Sequence, residues 1–239
     1  MEKVVYALSL GGADSQQGFS NRLIGELGPR LMQCGVRKLS LAVHDEDVSA
    51  AEKLRIVNCD PSIEAVVSLW VDSANDRGEL QSVISEFATI IAGYLVSESE
   101  PLNNGAPVGD GERTSGMMQI AFLQVPSSLS EEEWFSIWRN DHTRVAMETQ
   151  STFVYRQNLV VRVLTNGAPA CAAIVEEAFP AEAMTSQHAF YDAVGDDEKL
   201  ERNRVRMWES SERFVDIATI EIVPTSEYVW EAPRQRDNS

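Results

Sequence analysis

Twice along these 239 residues a short apolar run of strand character is followed by a stretch of helical period, two more such runs, a second helical stretch and a closing run. That repeated order constrains the fold more than any single motif does. In the first half the strands are expected at 4–10 (VVYALSL), 37–44, 63–71 and 94–99, with helices at 19–34 and 79–92. Phe19, Leu23, Ile24, Leu27 and Leu31 carry the helical spacing, Pro29 bends the first helix, and Gly11-Gly12 makes a turn after the first strand. The second half repeats the order with strands at 117–125, 152–164, 172–179 and 217–223, a helix at 130–148 and a longer one at 185–214 broken at Gly195.

The order β-α-β-β-α-β is that of a ferredoxin-like unit, a four-stranded sheet with helices on one face and an apolar face left bare. Two such sheets packed face to face within one chain would cover each other. The expected fold class is therefore α+β, with two ferredoxin-like repeats forming an intramolecular barrel. The first repeat spans 1–101 and the second 116–230. Between them 102–115 (LNNGAPVGDGERTS) has linker composition, and 231–239 is a polar tail expected to be disordered.

Composition narrows the function by exclusion. With 37 acidic against 20 basic residues the net charge is −17, which argues against holding nucleic acid or an anionic membrane through bulk electrostatics. Three cysteines, Cys34, Cys59 and Cys171, give an odd count with no C-x-x-C spacing, so a reduced, cytoplasmic setting fits best. The apolar run at the N-terminus is too short for a leader, and no stretch reaches the length of a membrane span. His44, His142 and His188 fall in separate elements without metal-ligand spacing, so no metal is expected. Gly11-Gly12 lacks the glycine pattern of a phosphate cradle, and no G-x-S-x-G occurs.

Chemistry concentrates between Ser130 and Leu164. Ser130 with Glu133 reads as a capping box that starts a helix. From there Trp134, Ile137, Trp138, Asp141, His142 and Val145 follow the apolar stripe of an amphipathic helix, which sets an acid and an imidazole on the buried side. Neighbouring residues on a helix point about 100° apart, so Asp141 and His142 must each find another partner. One reading is structural, with His142 bonding a carbonyl near the helix end and Asp141 meeting an arginine. The other puts both in a cavity, with Tyr155, Arg156, Gln157 and Asn158 of the next strand as partners.

The segment WFSIWRNDH, the subsequent YRQN and the first half's YLVSESEPL resemble the EthD-like family of dimeric α+β barrel proteins, best over 134–161. The resemblance implies a ligand cavity between sheet and helices and chemistry without metal or cofactor, such as decarboxylation, dehydration or cyclisation of aromatic or polyketide-like molecules. It also makes His142 the position of greatest interest. The matching part of the first half reads IGELGPR, so at most one half is chemically equipped.

Two functions are expected. In the first the protein is a cofactor-independent lyase or isomerase acting on a small hydrophobic or aromatic molecule. His142 then serves as general acid or base, Asp141 and Tyr155 assist it, and Trp134, Trp138, Phe153, Arg156 and Asn158 contact the substrate. In the second the same barrel is a non-catalytic binding or assembly protein. Neither involves nucleic acid or membrane, and a homodimer is compatible with both.

Overall fold

The computed structural model describes residues 1–10, 15–106 and 110–232. The expected Gly11-Gly12 turn and nearly all of the 231–239 tail lie outside them. Eight strands, β1 (Glu2–Ser9), β2 (Lys38–Val43), β3 (Ala65–Val71), β4 (Thr89–Asn103), β5 (Met117–Leu123), β6 (Val154–Val163), β7 (Ala173–Phe179) and β8 (Glu221–Glu231), close into one antiparallel barrel in the order β1-β3-β2-β8-β5-β7-β6-β4. Each half contributes a run ordered fourth, first, third, second. The runs join by hydrogen bonds at two seams, β2 with β8 and β4 with β6. The halves thus meet edge to edge in a continuous ladder, where the sequence suggested two sheets laid face to face. Edge pairing satisfies the backbone groups that four free edge strands would otherwise expose.

Strand alternation sorts the side chains into two layers. Val5, Ala7, Val66, Ile120, Ile174 and Val223 point into the barrel. Their sequence neighbours point outward under helices. In the first half the helix α1, over 16–33, and α2 (Gly78–Ser85) cover Val4, Tyr6, Leu39 and Leu69 with Leu23, Leu27, Leu31, Leu80 and Ile84, and the space is filled. In the second half α3, over 131–149, lays Trp134, Trp138 and Ala146 on Ala121, Tyr155 and Val175. The short α4 (Gln187–Phe190) and long α5 (Asp197–Ser211) pack mainly on other helical segments, so the sheet beneath them is left partly uncovered.

Several boundaries differ from the sequence expectation. The second helix stops at Ser85, because the β-branched run Thr89-Ile90-Ile91 joins β4, which continues to Asn103 and absorbs the start of the expected linker. The last strand begins at Glu221, since Ile217 to Thr219 form a turn, and it runs on through Pro224 to Glu231. Pro224 pairs with Gln119 of β5 and lies ahead of the β2 ladder, which begins at Ser226, and Thr225 and Glu227 are polar yet buried, which hid the strand from a search for apolar runs. The long final helix is two helices interrupted before Gly195, whose φ of 78° breaks the helical path.

Candidate functional site

The uncovered part of the second half is a cleft of about 1200 Å³ between the outer face of β5, β7 and β6 and the helices α3, α4 and α5. Its buried wall includes Gln119, Trp138, His142, Gln150, Tyr155 and Glu177, while Lys53, Trp208, Arg213 and Ile217 stand at its exposed rim. The wall results from register. Tyr155 pairs with Glu177 across β6 and β7, and Glu177 pairs with Gln119 across β7 and β5, so the three side chains form one row on the same face.

Glu177 is the outlier in that row. It is buried, no ion pair joins it to a cation among the described residues, and its Oε1 has no hydrogen-bond partner. Burial pushes its carboxyl up to about 7, against a smaller lowering by the Gln119 side chain that donates to it. Tyr155, also buried, is raised chiefly by burial and further by the nearby Glu177, so the phenol stays protonated; its hydroxyl lies within reach of the Gln157, Trp138 and Thr143 side chains.

α3 begins as its sequence suggests. The Ser130 hydroxyl accepts from the Glu133 amide at 3.2 Å, and Glu133 Oε2 accepts in return from the Ser130 amide at 3.0 Å. Its middle, Ile137–His142, is a π turn, which adds a residue to the helical repeat and rotates the remainder of the helix. Asp141 and His142 therefore do not share the buried stripe. Asp141 turns outward to a half-exposed pair with Arg213 at 2.8 Å. His142 is buried, with Nδ1 3.0 Å from the Ser210 hydroxyl and its ring centroid 4.6 Å from that of Phe214. Burial, and secondarily the charge of Arg213, lower its pKa to about 4, so it is neutral at neutral pH.

The remaining candidates divide between three places. Trp138 and Tyr155 line the cleft. Trp134 packs at a tilt against Trp138, ring centroids 5.1 Å apart, donates its Nε1–H to the Phe214 carbonyl at 3.1 Å and borders a separate groove with Phe135 and Leu159. Arg156 and Asn158 face the barrel interior, because residues alternate along β6 and the even positions there point away from the cleft, and Phe153, just ahead of β6, packs against the same interior cluster. Arg156 meets Glu100, Glu176 and Glu227 at 3.0, 3.1 and 2.6 Å, and Asn158 donates to Glu176 at 3.0 Å. His44 is buried against the Pro224 carbonyl and Glu52, and His188 pairs with Asp197 in the open. Among the described residues no cluster of three potential ligands could hold a metal ion, and no helix is long and apolar enough to cross a membrane.

Sequence reasoning passed over Gln119, Gln150 and Glu177. The signal was there for Glu177: two adjacent glutamates in the otherwise apolar strand AIVEEAF cannot both face one side.

Fold and cleft together define an α+β protein closed into an eight-stranded antiparallel barrel, with its cavity between sheet and helices. No family model and no curated protein matches the sequence. Among solved structures the chain is similar to an anthrone oxidase-like protein (TM-score 0.51, 14% identity, covering 95% of this chain and 91% of that one). It is also similar to a protein provisionally named a monooxygenase from Fusobacterium nucleatum subsp. nucleatum ATCC 25586 (TM-score 0.51, 9% identity, covering 96% and 93%). At these identities the likeness is one of fold.

Proposed function

We propose that the chain is a cofactor-independent enzyme that moves a proton on a small aromatic, carbonyl-bearing molecule held in the cleft, with Glu177 as the base. One observation carries this reading: a buried carboxylate on the cleft wall with no cation beside it, its proton affinity shifted to near neutrality. A group so poised can accept a proton and return it at neutral pH without a large energetic penalty in either direction. Gln119 orients the carboxylate, and the neutral phenol of Tyr155 is a donor toward negative charge developing on the substrate. His142 is a weak base in its buried setting and has Nδ1 engaged by Ser210, so its role is to orient and pack the wall around Trp138.

Removal of a C–H proton activated by an adjacent or conjugated carbonyl is the first step common to isomerisation, to many eliminations and cyclisations, and to oxidation of anthrone-type compounds. The reading thus covers both the lyase-like chemistry implied by the EthD-like resemblance and the name of the anthrone oxidase-like structure. The order of strands within each half supports a description as two ferredoxin-like repeats of that family's kind, and three free cysteines fit work in a reducing, cytoplasmic setting.

The test is exchange of the acidic C–H protons of anthrone into deuterated buffer without oxygen, followed by proton NMR. Wild type should accelerate the exchange. Glu177→Gln should slow it by on the order of 10²–10⁴-fold, and His142→Ala by far less. Exchange no faster than buffer would remove the enzymatic reading in favour of a binding protein, and full activity in Glu177→Gln would remove its base.

A further inference from the structure

We infer that Gln150 selects the ligand of the cleft, and that this ligand enters uncharged and presents a hydroxyl group to it. The inference rests on the cleft being the ligand site. Gln150 comes directly after the last turn of α3, where its amide N–H is held by the Ala146 carbonyl and its side chain joins the cleft wall. It is only 6% exposed, and its Oε1 is buried with no hydrogen-bond partner. Glu177 Oε1, on the same wall, is also buried and unpartnered. Leaving such acceptors unpaired is costly, and a ligand that supplies donors to them recovers the difference.

The chemistry of the two groups narrows the ligands that can bind. A primary amide carries both an acceptor and donors, and a carboxyl accepts when ionised and can also donate when protonated. A hydroxyl, which donates and accepts, complements both. A ketone or ether only accepts, and a carboxylate brings a second negative charge beside Glu177. Among the described residues the buried wall has no cation to offset that charge: His142 is neutral, Lys53 stands exposed at the rim, and Arg204 and Arg213 are exposed there and already paired with Glu201 and Asp141. The rest of the wall, with Ala121, Leu123, Trp138, Val175 and Ile220, suits the flat apolar body of a fused ring.

Three probes of one ring test this: 1-naphthol, 1-methoxynaphthalene, which lacks the donor, and 1-naphthoate, which carries the charge. Titration calorimetry at pH 7 on the full chain should rank 1-naphthol roughly tenfold tighter than either of the others, the size of one hydrogen bond to an otherwise unpaired buried group. In Gln150→Met the preference for naphthol over methoxynaphthalene should shrink to within about twofold, with Gln150→Ala as a second variant should the first melt early. Glu177→Gln should keep most of it. Preference lost in Glu177→Gln but intact in both Gln150 variants would overturn the assignment to Gln150 while leaving Glu177 as the base. Tight binding of 1-naphthoate, or no measurable binding of any probe, would also overturn it.

Discussion

Glu176 and Glu177 are neighbours in sequence and opposites in chemistry. β7 sends Glu176 into the barrel and Glu177 outward to the cleft. Burial raises both, but for Glu176 the charges of Lys3 and Arg156 outweigh it and hold the carboxyl at about 2, whereas Glu177 has only Gln119 and rises to about 7. The signs for stability are opposed. Glu177's folded value lies above its usual 4.5, so the native state binds the extra proton, and stability falls as pH rises through the window from 4.5 to about 7. Glu176's lies below 4.5, so the stability it contributes is present above 4.5 and lost as pH falls toward 2. His142 acts in the same direction as Glu176, losing its contribution as pH falls from 6.5 through about 4. Because His142 offsets Glu177 in the wild type, the prediction is a difference: between pH 5 and 8 Glu177→Gln should gain stability relative to wild type by on the order of 3 kcal/mol, measured by urea unfolding of both proteins at each pH. An unchanged slope in the variant would contradict the burial argument. At the same scale, Trp138→Ala should cost roughly 3–5 kcal/mol through the cavity it leaves. His142→Ala should cost about 1–3 kcal/mol, for the lost Ser210 bond and Phe214 contact. Thermal melts of the two variants order them.

At the scale of elements, the sequence was most legible where a local rule acts alone. The capping box at Ser130, the helical stripe of α1 and the apolar strands β1, β2, β3 and β5 are consequences of spacing. It was least legible where tertiary context decides. The π turns Leu23–Leu27 and Ile137–His142 occupy corresponding helices of the two halves, and no composition rule announces them, yet the second falls on Asp141 and His142 and shifts the helical stripe there. β8 was partly hidden because its inward residues Thr225 and Glu227 serve a polar interior. The cleft itself depends on α5 standing away from the sheet, a packing outcome that the mean polarity of its sequence does not reveal. One element boundary gives a sharp prediction. Gly116 opens β5 with φ of 90°, and a Cβ there would lie 2.0 Å from the Phe179 carbonyl oxygen, on rigid backbone. Gly116→Ala should lower the melting temperature by more than a surface substitution does, with about 1–3 kcal/mol from the backbone conformation alone. A melt indistinguishable from wild type would mean the turn is built differently.

The whole molecule is one closed ladder whose seams are clamped from inside. Arg156 on β6 reaches Glu100 across one seam and Glu227 on β8, and Glu227 in turn accepts from Ser40 across the other, while Lys3 of the first half meets Glu176 of the second at 2.8 Å. The two halves should consequently unfold together, with tryptophan fluorescence and far-UV circular dichroism giving coincident urea transitions. Arg156→Met should lower the stability measured in that single transition by about 3–5 kcal/mol, because Glu176 and Glu227 remain buried with less compensation. Two separated transitions would show halves that fold independently. The barrel also explains why one strand can serve two ends: β7 turns Glu176 inward to the charges that hold the fold, and Glu177 outward, without a cation beside it, for chemistry. That division is the central claim, and carbon-13 NMR titration of the Glu177 carboxyl in the folded chain tests it most directly. The account predicts a resonance that titrates with a midpoint near 7 and disappears in Glu177→Gln; a midpoint at the usual glutamate value near 4.5 would contradict it.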